Sequence, residues 1–203
     1  MIRLLLAIFV SLFLLTPQDK KLMVFFGDSI TAGYGINIEN AFPALVQKAL
    51  NEQGLEYDVI NSGLSGETSA GGLQRIDWVL RAKPDVFVLE LGGNDGLRGL
   101  SLNETRSNLK AMIGKVKTAN PNAIIILAGM QIPPNLGQDY TNEFKGLFAE
   151  VAKSEDVKLI PFLLEGVGGE KELNLSDGIH PNEAGHEIVA ETVMSFLGPF
   201  LKK

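Results

Sequence analysis

MVFFGDSITAGYG, Met23 to Gly35, sets the reading of the whole chain. Its first four residues form an apolar run of strand length, and that run ends on Gly27-Asp28-Ser29, a charge and a hydroxyl where a core strand stops. Similar short apolar runs recur at Leu22 to Phe26, Tyr57 to Ile60, Val86 to Leu91, Ala123 to Ala128 and Lys158 to Pro161. Their continuous apolar character predicts strands covered on both faces, as in a parallel sheet. Between them apolar residues repeat at helical spacing: Phe42, Leu45, Val46, Ala49 and Leu50; Leu73, Ile76, Val79 and Leu80; Leu109, Met112, Ile113 and Val116; Phe144, Leu147, Phe148 and Val151; Ile188, Val189, Thr192, Val193 and Phe196. Strand and helix alternate, which is the pattern of an α/β protein. Asn40 and Pro181-Asn182 are the expected starts of the first and last helices.

With 203 residues the chain suits one domain, and neither repeats nor a linker divide it. The absence of cysteine excludes a thiol nucleophile, disulfides and Cys-ligated metal. A net charge of -6 argues against nucleic acid as a partner and gives no general attraction to polyanionic ligands. Residues 1–20 are a separate block in which Arg3 precedes LLLAIFVSLFLL, Leu4 to Leu15. That run is shorter than the roughly 20 residues of a membrane span and reads as an export signal, which implies a periplasmic or secreted protein. No A-x-A site follows, so retention as a membrane anchor, or packing of this segment on the domain, stays open. Residues 21–203 form the folded domain, and membrane contact is expected only through the N-terminal segment.

In a parallel sheet the functional loops follow the C-terminal strand ends. Here those segments are GDSITAGYG, NSGLSGETSAGG, GGNDGLRG, GMQIPPNLGQ and FLLEGVGGEKELNLSDGIHPN, so polar and glycine-rich residues gather on one edge. Ser29 leaves the first strand directly, on rigid backbone. The rival reading is a plain turn capped by Asp28 or Ser29. The chain has two histidines, His180 and His186. On a helix that spacing of six is about 240° of rotation, so they would face different ways. His186 falls within the last amphipathic stretch and is expected to be an exposed helix residue. His180 lies in SDGIHPN with Asp177 three residues before it, a turn in which a carboxylate can hold the imidazole N–H. Gly66 in LSGETS and Asn94 in GGND offer a backbone N–H and a side-chain amide for an oxyanion, although each is also an ordinary turn residue. No H-x-x-x-H or paired carboxylates suggest a metal site. The first loop lacks both phosphate-binding glycine signatures, and Asp28 would repel phosphate.

Gly27-Asp28-Ser29-Ile30, the glycine of SGETS, Gly92-Gly93-Asn94-Asp95 and Asp177-Gly178-Ile179-His180 together resemble the four ordered blocks of the SGNH (GDSL-type) hydrolases. ELGGNDGLRG and MQIPPNLG resemble in particular the bacterial thioesterase I, lysophospholipase L1 or arylesterase group. The resemblance covers about residues 22 to 197. It implies a flavodoxin-like three-layer α/β/α sandwich with a five-stranded parallel sheet, and an enzyme that hydrolyses esters and thioesters with no cofactor and no metal. It makes Ser29 the nucleophile, His180 the general base and Asp177 its orienting carboxylate, with the N–H groups of Ser29 and Gly66 and the Asn94 amide as oxyanion donors. Asp28 and Asp95 become structural, and Leu97 and Leu100 become contacts for an acyl chain. Export would separate the protein from cytosolic acyl-CoA, which favours lysophospholipids or small esters as substrates. A carbohydrate acetyl esterase is the alternative on the same site, and a non-catalytic flavodoxin-like binding domain the alternative from another class.

Overall fold

The computed structural model describes residues 20–201. The export-signal reading of residues 1–20 thus falls outside the described residues apart from Lys20. The strands are β1 (Lys21–Gly27), β2 (Tyr57–Gly63), β3 (Val86–Glu90), β4 (Ile124–Ala128) and β5 (Lys158–Ile160). They form one parallel sheet in the order β2-β1-β3-β4-β5. Between and after them come α1 (Ser29–Ala32), α2 (Phe42–Glu52), α3 (Ser69–Val79), α4 (Gly93–Leu97), α5 (Leu102–Ala119), α6 (Gln138–Glu155) and α7 (Glu183–Leu197).

Parallel neighbours require crossovers, and these are right-handed because twisted strands feeding helices pack back onto the sheet only that way. The step from β1 to β2 runs one way along the sheet, and the steps from β2 through β5 run the other. That reversal puts α2 and α7 on one face and α3, α5 and α6 on the opposite face, in agreement with the observed packing of α2 on α7, α3 on α5 and α5 on α6. Successive β1 residues serve the two layers in turn. Phe25 meets the α2 side, its ring edge-on to Phe42 at 5.2 Å. Phe26 meets the other side, under the Arg75 guanidinium at 4.1 Å.

The expectation of strands covered on both faces holds for β1 and β3 and fails at β2. Asp58 and Ile60 are exposed, Ile60 by 40%. β2 ends the sheet, and an edge strand has a neighbour on one side only. Asn40 does not start the first helix either. It closes a short 3-10 turn, while α2 begins after Ala41, which makes no side-chain cap, with Pro43 in its first turn. Asn182 does cap α7, accepting the N–H of Gly185 at 3.1 Å.

His186 corrects the reading of an exposed helix residue. It is 1% exposed, stacked on the Phe42 ring, and its Nδ1 accepts the N–H of Phe42 at 3.2 Å. The N-terminal N–H groups of α2 have no intrahelical acceptor, so a neutral imidazole from α7 satisfies one of them and ties the two helices together. Burial, followed by the nearby positive potential of His180, depresses its pKa to about 4, against the pull of Glu183.

Candidate active site

β1 ends at Gly27, and a side chain there would collide with Thr31 and with the Glu90 carboxyl of the neighbouring strand. Only glycine lets the chain turn this tightly at the sheet edge. Asp28 then caps α1, its Oδ1 accepting the N–H of Ile30 at 3.0 Å, and Ser29 opens that short helix with 8% of its surface exposed. The capped turn and the site residue, rival readings of Gly-Asp-Ser, are thus both present.

Ser29 Oγ lies 2.9 Å from His180 Nε2, and His180 Nδ1 lies 2.7 Å from Asp177 Oδ2. The other oxygen of Asp177 accepts the N–H groups of Ile179 and His180, at 2.9 and 3.0 Å. Burial works against ionisation of Asp177, but those two N–H groups and the imidazole outweigh it and hold the carboxyl down at about 2. A carboxylate so held takes the Nδ1 proton of His180, which leaves Nε2 as an acceptor for the serine hydroxyl. The 3.5 Å contact from Ser29 Oγ to Asp28 is the longer and weaker choice for that single hydrogen. Tyr34, from the same loop as Ser29, lies against the imidazole with ring centroids 4.5 Å apart.

Asn94, at the start of α4, donates its side-chain amide to Asp28 Oδ2 at 3.0 Å and to the Glu67 carbonyl at 3.1 Å. Both amide hydrogens therefore have acceptors, and an oxyanion would have to share or displace one of them. Gly66 adopts φ +79°, and its carbonyl is held by Arg98, whose guanidinium also reaches Asn94 Oδ1. Among the described residues the backbone N–H groups of Ser29 and Gly66 have no acceptor. Glu67, beside Gly66, is clamped by a two-pronged ion pair with Arg75. Asp95 serves structure, accepting the N–H of Ser69 at 2.8 Å and the Thr105 hydroxyl at 3.1 Å. Asp28 does more than the structural role implied for it, because it touches both Ser29 and Asn94. Burial pushes its carboxyl up to about 6, against the Ile30 N–H, the Asn94 amide, the His180 imidazole and the Ser29 hydroxyl.

A cavity of about 550 Å³ opens beside Ser29, Asn94 and His180, with walls that include Leu97, Met130, Ile132, Phe162 and Leu164. Leu97 thus stands where an acyl contact is expected. Leu100 does not: it lies outside the cavity lining and is 40% exposed, because the chain turns at Gly99 (φ +66°) and its carbonyl is drawn to the Tyr140 hydroxyl. Gly66 also lies outside the lining. The cavity walls from β4 and β5 were unassigned in the sequence, as were Tyr34, Arg98 and Glu90. The one signal for Glu90 was a lone carboxylate inside an otherwise apolar strand.

Residues 25–188 match the model of the GDSL-like lipase/acylhydrolase family. The chain belongs to that family. It is 42% identical to esterase TesA of Pseudomonas aeruginosa over 193 residues, which covers 94% of this chain and 95% of that one. It is 38% identical to an arylesterase of Vibrio mimicus, covering 95% and 96% of the two chains. A crystal structure of TesA superposes with a TM-score of 0.85 at 41% identity, covering 89% of this chain and all of that one. The five-stranded parallel α/β fold is the fold of this family's solved structures.

Proposed function

We propose that this protein is a cofactor-free serine hydrolase of carboxylic esters and thioesters. The observation that carries the reading is the continuous chain of hydrogen bonds from Asp177 through His180 to Ser29, ending beside a largely apolar cavity. His180 Nε2 takes the hydroxyl proton as Ser29 Oγ attacks the acyl carbon. The tetrahedral oxyanion is met by the N–H groups of Ser29 and Gly66 and by the Asn94 amide. His180 then gives its proton to the departing alcohol or thiol, and a water that it activates releases the acid from the acyl-enzyme. Asp177 holds the imidazole tautomer throughout.

The apolar walls of the cavity, Leu97, Met130, Ile132, Phe162 and Leu164, favour a hydrocarbon acyl chain over a hydroxyl-rich sugar, which supports lysophospholipids and small aryl or alkyl esters above acetylated carbohydrate. The apolar run Leu4 to Leu15 supports export to the periplasm or beyond, where such esters rather than acyl-CoA would be met. Among the described residues no helix is long and apolar enough to cross a membrane.

The test is hydrolysis of p-nitrophenyl butyrate by the protein and by its Ser29→Ala variant, with folding of both checked by circular dichroism. Loss of activity to background in the folded variant is the expected result. Equal activity in the two proteins would refute the serine mechanism.

A further inference from the structure

Glu90, the last residue of β3, is fully buried, and no step above uses it. Its Oε2 accepts the N–H of Asp28 at 3.1 Å and the hydroxyl of Thr31 at 2.8 Å. Its Oε1 is equally buried and has no hydrogen-bond partner among the described residues. Gly27 sits beside Glu90 in the β1–β3 register, so the missing side chain at Gly27 is what admits the carboxyl beneath the turn. Glu90 therefore grips the residues on either side of Ser29-Ile30 from inside the sheet. Asp28, which it holds, is the acceptor that orients the Asn94 amide.

We infer that Glu90 is a positioning residue for the reaction: its carboxyl fixes the Asp28–Thr31 turn that presents Ser29 and, through Asp28, sets the direction of the Asn94 amide. This rests on the serine mechanism proposed above. The titratable groups concerned are few. Glu90 faces Asp28, and Asp28 faces Glu90 and the His180 imidazole. Two adjacent carboxyls out of water do not both ionise. Burial first, and then the Asp28 charge, push Glu90 well above the usual carboxylate range, further than the Thr31 and Asp28 donors pull it down. An ionised Glu90 would also leave Oε1 carrying charge with no donor, which is costly in a dry interior. The proton therefore resides on Glu90, and the negative charge on Asp28, where the Ile30 N–H and the Asn94 amide meet it. Glu90 works as a neutral acceptor, a task that a glutamine carbonyl can also perform.

The test compares the full chain with Glu90→Gln, Glu90→Leu and Ser29→Ala, following kcat and KM for p-nitrophenyl butyrate from pH 5 to 9. Glu90→Gln is expected to keep kcat within about threefold and to leave the acid limb of the kcat profile in place. Glu90→Leu, folded by circular dichroism, is expected to lose about 30-fold or more in kcat with KM changed less than about threefold, since loss of orientation acts on the chemical step. Full kcat in Glu90→Leu would overturn the inference. So would a loss of about 10-fold or more in folded Glu90→Gln, or a downward move of its acid limb by about one pH unit, which would mean that a charge had been removed from beside Asp28. If Glu90→Leu does not fold, Glu90→Gln decides by these same two readouts. An active Ser29→Ala would instead bring down the mechanism itself, whereas an inactive Ser29→Ala beside an active Glu90→Leu would bring down only the role of Glu90.

Discussion

Between pH 6.5 and 4, acidification is expected to weaken the fold through His186. In the folded protein its Nδ1 faces the N–H of Phe42, so protonation would set a donor against a donor inside the packed α2–α7 interface. Burial and the neighbouring His180 bring its pKa down from the ordinary 6.5 to about 4. Between those two values the unfolded chain binds a proton that the folded chain refuses. Stability therefore falls as pH drops, by at most about 1.4 kcal/mol per pH unit. Summed over the window the loss is about 3 kcal/mol, with no contribution above pH 6.5 and no further loss below about pH 4. His186→Asn supplies a non-titrating acceptor near the place of Nδ1, and its stability curve should lack this slope. The raised carboxyls Asp28 and Glu90 act with the opposite sign, favouring the fold as pH falls, but they are common to both proteins and cancel in the difference. Urea unfolding of the two proteins at pH 7, 5.5 and 4.5 gives the comparison directly. Parallel pH dependences would refute the argument, because they would mean that His186 titrates alike in the folded and unfolded chains.

Asn94→Ala should lower kcat by about 10²-fold if its amide serves the oxyanion, and steady-state kinetics with unchanged folding would check it. Asp177→Asn should likewise lower kcat by about 10²-fold or more at pH 7, since an amide no longer fixes the Nδ1–H tautomer; a stopped-flow trace should show acylation and release of the acid both slowed, because His180 is the base in each. Gly27→Ala should destabilise the fold by about 3 kcal/mol or prevent folding, because the methyl group meets Thr31 and Glu90, and a denaturation midpoint like that of the parent would contradict this. Gly168 lines the cavity, and a Cβ there would come within 3.0 Å of Phe162 Cζ. Gly168→Val should therefore shift the preference of kcat/KM from decanoyl toward butyryl esters by about 10-fold, read from a chain-length series.

The central strands were legible because burial on both faces leaves a nearly unbroken apolar run, and β1, β3 and β4 fall within two residues of their expected ends. Ser29 and Asn94 were legible as candidates because each sits in a polar block where an apolar run stops, and Asp177 and His180 through their three-residue spacing in a polar loop. What escaped depends on partners far away in the chain. A histidine on a helix looks solvent-facing until α7 is known to lie on α2, which is why His186 was misread. Ile60 looks like a core residue until the strand order puts β2 at the edge. Glu90 stands out locally as a lone carboxylate in an apolar run, but the turn of Asp28 and Thr31 that it meets lies 62 and 59 positions away and cannot be read from its neighbours. Leu100 differs from Leu97 only by a left-handed glycine between them, and that changes which of the two reaches the cavity.

The sequence separation of 151 positions from Ser29 to His180 also bears on when the proposed site is complete. Ribosomes make the serine near the beginning of the chain and the histidine near its end, immediately before the helix that completes the layer over α2. A chain ending between residues 161 and 179 has all five strands and Ser29, but it lacks the His180 imidazole to which the proposed mechanism hands the serine proton. With Ser29 and His180 in the roles proposed for them, turnover of an ester reports a domain assembled through the loop that precedes its last helix.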